Sequence, residues 1–181
     1  MTTEVLTQIK WGIDTTHTDV SFKVKHLVIS TVTGFFKKFS GSVIAESDDF
    51  DNAIVNFTID VTSIDTNQTD RDGHLKSEDF FAAAQYPSIT FANGTLKKIK
   101  GEAYQLSGDL TIRDITKPVA LDVTFGGIVK DPYGNTKAGF EITGKINRKE
   151  FGLSWNAITE AGGVVVSEEV KLIINAQVVK G

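Results

Sequence analysis

The chain contains no cysteine. That removes disulfides, thiol nucleophiles and cysteine-bound metals, and it leaves the cellular compartment open. Histidine is nearly as scarce. His17, His26 and His74 lie on separate stretches, with no H-x-H or H-E-x-x-H spacing, so no metal site and no cofactor is expected. With three prolines and no Ser-rich linker, nothing divides the 181 residues, and residues 1–181 are expected to form one domain. No apolar run approaches the roughly 20 residues of a transmembrane helix. Residues 1–14, MTTEVLTQIKWGID, lack the apolar segment of a signal peptide. If Met1 is the native start, the expected location is cytoplasmic; a trimmed start leaves secretion open. Basic clusters are missing too. The net charge is -4, and Lys97, Lys98 and Lys100 read as an exposed hairpin, so nucleic acid is not an expected partner.

What is present is alternation. Val20, Phe22, Val24 and His26 share one face, with Asp19, Ser21, Lys23 and Lys25 on the other. That period of two marks a strand with one wet face. Phe39, Gly41, Val43 and Ala45 repeat it within 35–45, and Ala53, Val55, Phe57, Ile59 and Val61 within 53–61. Further alternation follows at Ile89 and Phe91, at 104–112, at 119–125, at 138–146 and at 166–178. Asn93-Gly94 signals a hairpin, residues 114–118 a turn, Gly126-Gly127 a strand end, and 131–135 and Gly162-Gly163 further turns. About eight strands joined by short turns make the fold all-β, an antiparallel up-and-down meander, closed as a barrel or folded as a sandwich. Gly41, Gly108, Gly144 and Ala53 fall on inward faces. They suit either tight barrel corners or an interior with unfilled space.

Alternation stops between Ile64 and Pro87. Thr69 and Asp72 fit a helix start, Ser77 a second one, and the alanines at 82–84 favour helix. One or two short helices around residues 69–84, interrupted at Gly73, are expected to anchor through Leu75, Phe80 and Phe81. Such a segment either plugs one end of the β-domain or forms a lid beside a cavity, and spacing favours the plug.

Catalytic chemistry is thin. Ser154 is outside any G-x-S-x-G elbow, and the acids Asp65, Asp70, Asp72, Glu78 and Asp79 read as a solvated helix start. No catalytic residue is assigned, and an enzyme is not expected.

The order of motifs resembles the YceI-like family. The matching pieces are Trp11-x-Ile13-Asp14-x-x-His17-Thr18, Val24-Lys25-His26, Gly34-x-Phe36-x-x-Phe39-x-Gly41 and Ser63-Ile64-Asp65-Thr66. The central Arg71-Asp72-x-His74-Leu75-Lys76-Ser77-x-Asp79-Phe80-Phe81 is the most specific. The stretches at 110–119 and 146–152 complete the set, and Asp114 departs from the glycine usual there. The resemblance implies a lipocalin-like barrel with a helical insertion, holding a long-chain isoprenoid or similar amphiphilic lipid in its lumen. On that reading Phe22, Val24, His26, Phe39, Phe57, Ile59, Phe80, Phe81, Phe91, Leu110, Ile112, Phe140 and Ile142 would line the lumen. Arg71, His74 or Arg148 would meet the head group, although Arg71 and Arg148 are more readily explained by pairing with neighbouring carboxylates. An enzyme acting on a lipid, a ligand-free interaction protein, and a homodimer through an exposed edge or mouth stay open.

Overall fold

The computed structural model describes residues 8–156 and 166–181. Its strands are β1 (Ile9–Ile13), β2 (Asp19–His26), β3 (Ser30–Phe36), β4 (Phe39–Ala45), β5 (Ala53–Asp60), β6 (Ile64–Asp65), β7 (Ser88–Lys100), β8 (Ala103–Ile112), β9 (Ile115–Lys130), β10 (Thr136–Asn147) and β11 (Val166–Lys180). Among the described residues one short α-helix, α1 (Thr69–Lys76), and two 3-10 turns, Val61–Ser63 and Arg148–Phe151, interrupt them.

Eight strands close an antiparallel barrel in the order β1-β4-β5-β7-β8-β9-β10-β11, with β11 returning onto β1 from Trp11↔Lys180 to Ile13↔Val178. β2 takes the remaining length of the same β11 edge, from Val166↔His26 to Asn175↔Asp19, and carries β3 and β6 outward from it. The pleat decides what faces inward. Across β10 and β11 the register sets Ala138 opposite Val178, Phe140 opposite Ala176, Ile142 opposite Ile174 and Ile146 opposite Val170. A one-residue slip would turn all of these to water, so the apolar alternation fixes the register.

One end of the barrel is closed by an aromatic floor. Phe50, from the acidic loop between β4 and β5, is fully buried against Trp11, Phe125 and Phe140, with ring centroids 5.0, 5.4 and 5.0 Å away. The loop is tied down by the Tyr104 hydroxyl donating to the Asp49 carbonyl, and by the Lys98 amide donating to Asp49's neighbour Asp51 at 2.9 Å.

Several expectations need correction. Asn93-Gly94 is no hairpin. β7 runs through it with a bulge, Asn93 at φ +55, and the chain turns instead at Gly101, φ +58. An Asn with positive φ serves a bulge as well as a turn, which misled the reading. The turn at 114–118 narrows to Arg113-Asp114, and Pro118 pairs with Asp109 inside β9. Proline is tolerated there because β10 joins β9 only from Asp122 onward, so the strand is still an edge. Gly126-Gly127 is a bulge, not an end, with β9 continuing to Lys130. α1 passes through Gly73 unbroken, Ser77 starts no second helix, and 77–84 form turns. Asp72 reaches back to the Thr66 amide at 2.8 Å rather than capping Thr69. β1 and β3 were not foreseen as separate strands. The turn expected at Gly162-Gly163 lies outside the described residues.

Candidate functional site

The barrel is hollow. A cavity of about 640 Å³ occupies it, within the usual range of about 300–1,000 Å³ for ligand sites. Inward-pointing Val24, Val32, Val170, Leu172 and Ile174 are only half-buried, because their inner surfaces face this space rather than one another.

Most residues expected in the lumen stand in its wall. β2 contributes Phe22, Val24 and His26; β5 contributes Phe57 and Ile59; β7 contributes Phe91. Leu110 and Ile112 come from β8, Phe140 and Ile142 from β10, and Phe80 and Phe81 from the turns after α1. Phe39 does not reach the cavity. Its ring stacks on Phe57 at 5.6 Å, and Phe57 takes the wall position instead. The sequence reading omitted the β11 wall (Leu172, Ile174, Ala176, Val178) and also Trp155, although the alternation of β11 was visible. The inward glycines mark neither voids nor corners. A Cβ on Gly41 would meet the Phe57 ring, one on Gly108 the Phe91 ring, and one on Gly144 the Leu121 side chain. Each glycine is roofed by a neighbour that a larger residue would displace.

The cavity opens at the end opposite the aromatic floor. Gln68 and Asp70 belong to its wall and are exposed, so they mark the rim, with α1 lying across it. No residue of α1 is fully buried. Anchoring falls to the turns that follow it, where Phe80 is 6% exposed and Phe81 meets Phe36 edge-on at 6.1 Å.

The three head-group candidates differ. Arg148 is 3% exposed and donates to the carbonyls of Leu153 (2.6 Å), Trp155 (2.8 Å), Ser167 (2.8 Å) and Val166 (3.2 Å). Among the described residues it has no carboxylate partner, contrary to expectation, and four of its five N–H groups are committed. Burial pushes its pKa down, while the nearby charge of Glu168 pulls the other way. His74 hydrogen-bonds Asp79 at 2.8 Å and stands edge-on to Phe80 and Trp155, centroids 5.2 and 4.7 Å away. Arg71 also has no carboxylate partner among the described residues. Its Nε donates to Thr66 Oγ1 at 2.7 Å and its Nη2 to the Thr66 carbonyl at 2.6 Å. Its Nη1 carries no hydrogen bond to any described residue, and the side chain lies in the cavity wall. Among the described residues no group of His, Asp or Glu converges as a metal site.

Asp14 and His17, in the opening motif, lie outside the cavity. Asp14 accepts from Lys137 Nζ at 2.8 Å, from Thr16 and from His17, and the lysine holds its carboxyl far below the usual range. Thr18 Oγ1 accepts from the Gln177 amide at 3.0 Å. This motif latches β1, β2 and β11 together.

A closed antiparallel barrel with an apolar interior, floored at one end and open at the other, defines a hollow binding fold of lipocalin-like form. The chain belongs to the YceI-like domain family, whose model matches residues 11–178. It is 42% identical over 161 residues to Protein YceI of Escherichia coli O6:H1, covering 89% of this chain and 81% of that protein. The crystal structure of a Campylobacter jejuni YCEI protein superposes with a TM-score of 0.72 at 34% identity, covering 87% and 90% of the two chains. A polyisoprenoid binding domain from Saccharophagus degradans shares the fold, with a TM-score of 0.68 at 14% identity, covering 94% and 98%. No described helix is long and apolar enough to cross a membrane.

Proposed function

We propose that this barrel binds one long-chain isoprenoid or similar amphiphilic lipid in its lumen, and sequesters or carries it without chemistry. The observation that carries the reading is the cavity itself, about 640 Å³ and walled by aliphatic and aromatic side chains from the floor to the rim. Moving an apolar chain from water into such a space is favourable by about 0.8 kcal/mol per buried methylene. No directed hydrogen bond is needed, and the mid-wall offers almost none. The polyisoprenoid-binding domain that shares this fold supports the choice of lipid.

The head group belongs at the rim, where neither Arg71 Nη1 nor the His26 ring makes a hydrogen bond to a described residue. A guanidinium donor aimed at an anionic or carbonyl-bearing head group gives a charge-assisted contact. Arg148 also stands in the cavity wall, but with four of its five N–H donors committed to backbone carbonyls it is the lesser candidate.

Titration with a fluorescent polyprenyl lipid tests the reading. One saturable site is expected, with Arg71→Gln weakening an anionic lipid several-fold and leaving a polyprenyl hydrocarbon unchanged. Absence of saturable uptake for every chain would refute it.

A further inference from the structure

The hairpin between β2 and β3 ends in three exposed apolar residues that no described residue covers. Leu27 is 40% exposed, Val28 76% and Ile29 87%. Adjacent exposed aliphatics at one tip are unlike the scattered apolar residues of an ordinary surface. The backbone makes the choice stranger. Leu27 and Val28 adopt φ of +54° and +66°, a region where Asn and Gly are at ease and a β-branched residue is an outlier. A turn needing only to reverse the chain is better served by polar residues, so these side chains are retained against the local backbone preference.

The tip stands at the cavity's rim. His26, the residue before it, is in the wall, and so are Val24 and its register partner Val32. The charge nearest the tip on its own hairpin is basic: Lys23 and Lys25 precede it on β2, and no acid lies between Val20 and Phe36, although the whole protein is at -4. Lys23 and Lys25 are exposed on the outer face of β2 just behind the tip. Glu168 and Glu169, on the neighbouring β11, are held by Lys149 at 2.9 Å and Lys145 at 3.7 Å.

We infer that Leu27, Val28 and Ile29 form a membrane-docking tip that inserts into the interface of an anionic bilayer and sets the open end of the barrel against its lipid source. Aliphatic side chains enter the acyl boundary, while lysines behind them meet anionic head groups, a pairing that binds reversibly and weakens with salt. The inference rests on the lumen reading for its purpose, but not for its test.

The test is flotation of the full chain with phosphatidylcholine–phosphatidylglycerol vesicles, wild type against the double variant Val28→Ser, Ile29→Ser. Wild type should float, less so at high salt or with phosphatidylcholine alone, and the variant should lose about tenfold or more of its vesicle binding. Extraction of a fluorescent polyprenyl lipid from the vesicles should slow in step, while uptake of the same lipid delivered from ethanol stays unchanged. That second measurement also shows that the variant is folded. Equal flotation of the two proteins would overturn the docking tip. So would concentration-dependent dimerisation of the wild type, abolished in the variant, with neither protein floating; the tip would then join two copies of the chain. If the wild type floats, the variant does not, and neither takes up lipid, the docking tip stands and the lumen reading falls.

Discussion

Phe50 stands edge-on to Phe140, ring centroids 5.0 Å apart and planes at 88°. That contact joins a surface loop to the inner face of a barrel strand and makes one end of the cavity a floor. Phe50 is fully buried although it sits between acidic residues in a turn, with φ of +60°. Truncating a buried Phe costs about 3–5 kcal/mol, so Phe50→Ala should lose that much in chemical denaturation. A loss below about 1 kcal/mol would mean that the floor is not a packed element.

Arg148 is predicted to be a staple, not a ligand contact. Its guanidinium satisfies carbonyls on both sides of the segment between Trp155 and Val166. Arg148→Met leaves the Leu153 and Trp155 carbonyls without this donor, while Val166 keeps Asn156 Nδ2 at 2.7 Å, and it should destabilise by about 1–3 kcal/mol for each buried carbonyl left unsatisfied. Lipid stoichiometry per folded molecule should not change. Loss of lipid with stability intact would return Arg148 to the head-group role.

Acid sensitivity should trace in part to Asp14. Its folded pKa is depressed, chiefly by Lys137, so its contribution is fully present above the unfolded value near 3.9 and is lost as pH falls toward the folded value. Lys137 is shifted upward by the same pair, so its contribution is present below about pH 10.4 and fades as pH rises through the folded value. Melting curves of wild type and Asp14→Asn should therefore differ most at neutral pH and converge below about pH 4. A constant gap down to strong acid would contradict the pairing.

Gly34 is buried opposite Phe22, and the Phe22 ring covers the place where a Cβ would stand. Gly34→Ala must swing that ring, and the open direction is the cavity. Overpacking of this kind costs about 1–3 kcal/mol, and lipid capacity should fall with stability. An Ala variant that melts and binds like wild type would show that the ring has room elsewhere. Gly144→Leu carries a similar cost, since Leu121 already fills its position.

Much of the barrel was legible because burial imposes a period of two. Val20, Phe22, Val24 and His26 alternate in the sequence and stand together in the cavity wall. β1 was hidden by its five-residue length and Gly12, and β3 by its threonines, which blur the polar face. Arg148 and Arg71 were expected beside carboxylates, because a sequence shows charges but not carbonyls left unpaired by an irregular chain. Phe50 was missed for a related reason. Its neighbours are turn formers, and only long-range closure of the barrel tells a lone aromatic in such a loop to point inward.

Mass spectrometry of an organic extract of the purified protein bears most directly on the hollow barrel. The account predicts about one equivalent of a long-chain isoprenoid lipid per chain, or saturable uptake of one equivalent when a polyprenyl lipid is added to the emptied protein. An extract free of apolar compounds, together with no uptake of added lipid by the folded protein, would contradict it.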